Sequence, residues 1–154
     1  MKVYLAGSCS SEHRSLMMNM KKMIKEVFDN ETQIYCPFEL KIPDAWSLSQ
    51  EAWSRAVFEA DLDALHNADL VIMISYGRIS SAGVNWEQGF AFANDIPIFV
   101  LQVNDEPTSL MTYCGCKNFY NTGSNLEDIK RAVKFIYNNW DKDLKKGICE
   151  KVLT

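Results

Sequence analysis

Two carboxylates in this chain stand where a carboxylate needs a reason. Glu87 lies within residues 83–94, a run of small and apolar residues with helical character, flanked by Trp86 and followed a turn later by Phe90 and Ala91. An acidic residue in a helix's first turns commonly does no more than offset the dipole. Its apolar surroundings argue for more, because such a carboxylate faces a pocket or the core, and Gly83 lets a ligand approach the backbone closely. Asp61 lies in the middle of a second helical stretch, residues 49–66, on the stripe that carries Trp53, Val57 and Leu65. Its side chain therefore points inward and needs a polar partner. Two carboxylates brought to one cleft by separate helices are the equipment of glycosyl transfer with retained configuration. One attacks the anomeric carbon and forms a sugar–enzyme ester; the other helps the leaving group depart. Whether the two meet depends on the fold.

The elements that would position them follow from periodicity. Residues 3–6, 70–75 and 97–102 are short apolar runs without polar alternation and read as buried strands; 33–37 and 117–121 are weaker strands. Helical spacing marks residues 13–28, through Leu16, Met20, Met23, Ile24 and Val27, and also 49–66, 83–94 and 126–140. Strand and helix alternate, which predicts an α/β three-layer sandwich: a parallel five-stranded sheet covered by helices on both faces. With no repeat and no linker, residues 1–154 read as a single domain.

Sheets of this kind bind ligands outside the carboxyl ends of their strands. Here that edge comprises residues 7–11, 75–83 and 103–111. The first of these, Gly7-Ser8-Cys9-Ser10-Ser11, leads into a helix and offers hydroxyls and backbone N–H groups to an anion, although a plain serine cap reads equally from the same residues. It is neither a dinucleotide fingerprint nor a P-loop. Residues 39–48 form the longest irregular stretch, with Pro43, Asp44 and Trp46. Trp46 there is either part of a lid over a flat ligand or packed on the core. Asp69 is expected to pin a turn at the amino end of its strand. Asp63, His13 and His66 are expected on solvated helix faces.

Totals narrow the function further. A net charge of −4 over 154 residues argues against a nucleic-acid polymer as partner. No run of twenty apolar residues and no leader pattern occurs, so a cytoplasmic protein, complete as written and without membrane contact, is expected. The five cysteines are odd in number and scattered, and read as reduced thiols. Cys114 and Cys116 have no second pair at metal-ligand spacing, so neither a metal nor any cofactor is expected.

Taken together, 3-VYLAGS-8, Asp61-Leu62 with Leu65, Ala68 and Asp69, the segment Gly83-x-x-x-Glu87-x-Gly89-x-Ala91, and Ser109-Leu110-Met111 resemble the nucleoside 2-deoxyribosyltransferase family in order and spacing. The resemblance covers Lys2 to about Met111. It implies a flavodoxin-like (Rossmann-like) fold and a homo-oligomer, a homodimer or larger, with shared active sites. It also implies Glu87 as nucleophile, Asp61 as the catalytic aspartate, Tyr4 as hydrogen-bond partner of the glutamate, and Trp53 as a wall of the base pocket. Members acting on free nucleosides carry an aspartate where Ser81 stands and a neighbouring subunit's asparagine where Ser109 stands. Serines at both positions, with Gly7-Ser8, are closer to the 2′-deoxynucleoside 5′-monophosphate N-glycosidases. An aspartate at position 81 would repel a phosphate by several kcal/mol at short range, whereas a serine hydroxyl donates to it. Those glycosidases have an arginine near Ser10 that this chain lacks, and Arg78 is the available substitute.

The expected reaction is therefore hydrolysis of the N-glycosidic bond of a (deoxy)nucleoside 5′-monophosphate. Ser8, Ser10, Ser81 and a neighbouring subunit's Ser109 hold the phosphate, assisted by amides near Gly7 and Gly83, while Glu87 attacks C1′ and Asp61 serves the leaving base. Base exchange between deoxynucleosides is the first alternative. A non-catalytic nucleotide-binding domain is the second.

Overall fold

A computed structural model describes residues 1–142 and the strand Ile148–Cys149. Strands β1 (Lys2–Ala6), β3 (Leu70–Ser75) and β4 (Ile98–Gln102) are the three apolar runs, and every residue of β3 and β4 is buried. Continuous apolar strands of this kind suit a sheet covered on both faces. β2 (Gln33–Tyr35) and β5 (Asn118–Asn121) flank them, and all pairings are parallel. The predicted five strands thus lie in the order β2-β1-β3-β4-β5, and a two-residue strand β6 (Ile148–Cys149) extends the sheet beyond β5. Two residues are too few to leave a periodic signal.

The connecting helices are α1 (Arg14–Val27), α2 (Gln50–His66), α3 (Ala82–Ala93), the short α4 (Leu110–Cys114) and α5 (Leu126–Asn139). α4 has no counterpart among the predicted elements. Ser49 caps α2 by accepting from the Ala52 N–H at 3.2 Å, and Ser81 caps α3 by accepting from the Val84 N–H at 3.4 Å. The chain passes from β1 to β2 on one side and then returns to β3 on the other. The crevice at the carboxyl ends of β1 and β3 is thus the topological switch point.

Alternation along β1 divides the core. Val3 and Leu5 pack with Met20, Ile24, Val133 and Ile136 of α1 and α5, whereas Tyr4 and Ala6 face the layer of Leu65, Val84 and Ala91 from α2 and α3. This one-residue choice aims the Tyr4 phenol at the two helices that carry Asp61 and Glu87. At the opposite end of the sheet, Asp69 accepts the Lys2 N–H at 2.7 Å, the pin expected of it. Asp63 and His66 are exposed, as read from the helical pattern. Among the described residues, no helix is long and apolar enough to cross a membrane.

Candidate active site

The carboxylates are each held by a tyrosine. The Tyr4 O–H donates to Glu87 Oε1 at 2.8 Å, and the Tyr35 O–H donates to Asp61 Oδ1 at 2.7 Å. The register of β1 on β2 pairs Tyr4 with Tyr35, so both rings leave the sheet on the same face and stack, centroids 5.4 Å apart. Glu87 and Asp61 therefore share one cleft through a back-to-back pair of phenols. The cleft, of about 270 Å³, is lined by Tyr4, Asp61, Gly83, Glu87, Phe58 and Trp86 among others.

Electrostatics inside the cleft follow from burial. Desolvation pushes the Glu87 carboxyl up to about 7, against the pull of the Tyr4 hydrogen bond and with help from the nearby Asp61 charge. Glu87 Oε2 is buried and has no partner. Burial likewise raises Asp61, opposed by the Tyr35 hydrogen bond. Both phenols are held far above their ordinary range, Tyr4 first by burial and then by Glu87, so they remain protonated donors. Glu87 thus lines the cleft with one oxygen fixed and the other without a partner, the state a carboxylate nucleophile needs.

Several residues on the cleft or behind it went unread in the sequence. Tyr35 sits at the end of a weak strand, and its role depends on register with a strand some thirty residues away. Phe58 and Trp86 lie edge to face at 5.4 Å, and Trp86 stacks on Phe90 at 5.7 Å, which forms an aromatic surface beside Glu87. Half of the Trp86 surface and half of the Phe58 surface are exposed.

The first loop differs from the expected helix start. α1 begins only at Arg14, after a 3-10 turn over Ser11–His13, and the Ser10 N–H is taken by Ser8 Oγ at 3.2 Å. The hydroxyls form a chain: Ser8 Oγ donates to Ser10 Oγ at 3.1 Å, and Ser10 Oγ lies 2.9 Å from His13 Nδ1. His13 is not on a solvated helix face. The extra turn folds its ring onto Tyr76, centroids 3.9 Å apart. Gly7 is buried, and a Cβ there would collide with the Met17 side chain. A side chain at position 7 would make the end of Met17 move, so β1 runs close to α1 here.

Trp53 lines a neighbouring groove rather than the carboxylate cleft, along with Cys9, Val57, Phe38 and Trp46. Trp46 is 89% exposed, which removes the core-packing reading for residues 39–48. Ser81 is exposed at the start of α3, and Gly83 has open space where a side chain would be. Ser109 stands at the N-cap position of α4 without a capping hydrogen bond, beside Leu110 and Met111, each about 80% exposed, and it lines neither the cleft nor the groove of its own chain. Arg78 is exposed in a 3-10 turn after β3.

The family model for nucleoside 2-deoxyribosyltransferase matches residues 3–143. Among solved structures, a 2-deoxyribosyltransferase from the psychrotolerant bacterium Bacillus psychrosaccharolyticus superposes with a TM-score of 0.71 at 21% identity, covering 84% of this chain and 90% of that one. A conserved protein from Enterococcus faecalis V583 gives 0.57 at 26% identity over 68% and 64% of the two chains. The CMP N-glycosidase BcmB of Clostridium botulinum gives 0.53 at 16% identity over 75% and 80%. No curated protein sequence matches the chain.

Proposed function

The chain belongs to the nucleoside 2-deoxyribosyltransferase family, and we propose that it hydrolyses the N-glycosidic bond of a (deoxy)nucleoside 5′-monophosphate, with Glu87 as nucleophile. The observation that carries this reading is the state of Glu87. Tyr4 fixes Oε1, while Oε2 stays buried and unpaired in a cleft shared with Asp61.

The chemistry follows from that geometry. Glu87 Oε2 donates an electron pair to C1′ as the bond from C1′ to the base nitrogen breaks, and that bonding pair leaves with the base. Asp61 orients the departing base, which takes its proton from solvent. The product at this stage is a glycosyl ester on Glu87 and a neutral free base. Water, deprotonated by the Asp61 carboxylate, then attacks C1′, releases Glu87 and yields the sugar 5-phosphate. The cycle closes when Asp61 gives that proton to solvent. Tyr4 keeps its proton throughout and orients the nucleophile.

Support for a 5′-phosphate comes from α3. Ser81 uses its oxygen lone pair to cap the helix, which leaves its O–H proton to donate to an anion. It stands six residues before Glu87, about 9 Å along the axis, which suits the span from an anomeric carbon to a 5′-phosphate. The helix dipole and the open backbone at Gly83 favour negative charge at the same end. Ser8 and Ser10 complete the hydroxyl set. A second copy of the chain supplies Ser109, and the exposed Phe58, Trp86, Phe92, Leu110 and Met111 provide apolar surface for that association.

Base exchange is the second reading, favoured by the family itself. Incubation with dCMP, dGMP and the free nucleosides, with and without an acceptor base, separates the two. Hydrolysis confined to monophosphates supports the proposal; base exchange on unphosphorylated nucleosides overturns it.

A further inference from the structure

The groove beside the cleft is larger than a nucleobase requires. Trp53 and Val57 line the groove, and Asp61 follows one turn later on the same face of α2, so the groove ends one helical turn from the carboxylate that serves the leaving base. From that carboxylate to Trp53 is about 12 Å along the helix, longer than a purine is wide. Cys9 lines the groove, and its thiol is raised first by burial and then by the Glu87 and Asp61 charges. The groove volume of about 770 Å³ compares with about 270 Å³ for the cleft. Pockets of about 300–1,000 Å³ enclose whole drug-sized ligands, so the groove has room for much more than one ring system.

Its far wall is apolar, formed by Phe38, Leu40, Ile42, Pro43 and Trp46. Trp46 is presented by an ordered turn in which the Ser47 N–H and Oγ–H both donate to the Asp44 carbonyl at 2.8 Å. Asp44 itself adopts a left-handed conformation with φ of 51°. A non-glycine residue held there and an indole 89% exposed at the end of a groove are features that a ligand's apolar end would cover. Arg14, Lys41 and Asp44 also line the groove, Arg14 over the Phe38 ring at 5.6 Å.

Resting on the glycosidic-cleavage reading, we infer that the preferred substrate is a nucleoside 5′-monophosphate whose base carries a bulky aromatic or branched apolar substituent. The substituent seats along Trp53 and Trp46 and leaves as part of the released base.

Steady-state kinetics with N6-benzyl-dAMP against dAMP, and N4-benzoyl-dCMP against dCMP, tests this on the full chain. The expected result is a kcat/KM at least on the order of ten-fold higher for one substituted member of a pair, carried by KM. Trp46→Ala should bring that ratio towards one, and its exposed position leaves folding intact by circular dichroism. Binding of the same nucleotides to Glu87→Gln should show the same ordering without turnover. Cleavage of the plain nucleotides with equal or poorer handling of the substituted ones overturns the inference and leaves the cleavage reading standing. A preference that persists in Trp46→Ala overturns the groove assignment. Absence of cleavage and exchange on all four nucleotides overturns the underlying reading and the inference with it.

Discussion

The Tyr4 phenol and the Glu87 carboxylate meet at 2.8 Å from positions 83 residues apart, one on the buried third position of β1 and the other on α3. That single bond fixes one oxygen of the glutamate and leaves the other unpaired in the cleft. Among the described residues it is the contact that opposes the burial and charge effects raising this carboxyl.

Glu87 must be ionised to attack, so kcat/KM should rise with pH through an apparent value near 7. Removing the Tyr4 hydroxyl removes the stabiliser of the charged form. Tyr4→Phe should therefore move the acid limb of the profile to higher pH and lower kcat/KM at neutral pH on the order of ten-fold. An unmoved acid limb would detach Tyr4 from the tuning of Glu87.

The same shift predicts a cost in stability. The folded-state value, about 7, lies above the ordinary value of 4.5, so the native state binds this proton more tightly than the unfolded chain. Its contribution is fully present below the unfolded value and is lost as pH rises through about 7. Glu87→Gln should match the parent protein in thermal unfolding at pH 4–5 and exceed it at pH 8, by at most about 3 kcal/mol. Equal midpoints at both pH values would contradict a desolvated carboxylate.

Ser81→Asp keeps a good helix cap and exchanges a donor for a negative charge. Cleavage of monophosphates should fall by a factor on the order of a hundred or more, with unphosphorylated nucleosides less affected. An equal loss on both substrate types would place the phosphate elsewhere.

His13→Phe preserves a ring against Tyr76 and deletes the contact to Ser10 Oγ. The KM for monophosphates should rise several-fold with kcat little changed, because the Ser8–Ser10 pair loses its anchor. A change in kcat alone would argue for a different role.

What could be read in advance was local. The apolar runs of β1, β3 and β4 and the helical spacing of α2 follow from the pattern within one element, and so did the inward aim of Asp61, although Trp53 on the same stripe is exposed. Tyr35 was not legible, because its bond to Asp61 depends on the register of β2 on β1 and on which face that register selects. His13 was misread as solvated because helical periodicity was extended to its position, where the backbone instead makes a 3-10 turn onto Tyr76. Trp46 remained open between two readings until its exposure was known, since an aromatic in an irregular stretch carries no periodic signal.

The most direct measurement is mass spectrometry of the protein during turnover of a 2′-fluoroarabinosyl nucleoside 5′-monophosphate, whose fluorine slows release of the sugar. A mass gain of one fluorosugar 5-phosphate on the peptide containing Glu87, absent in Glu87→Gln, is the predicted result. Turnover that proceeds in Glu87→Gln at the parent rate, with no adduct on that peptide, would contradict it.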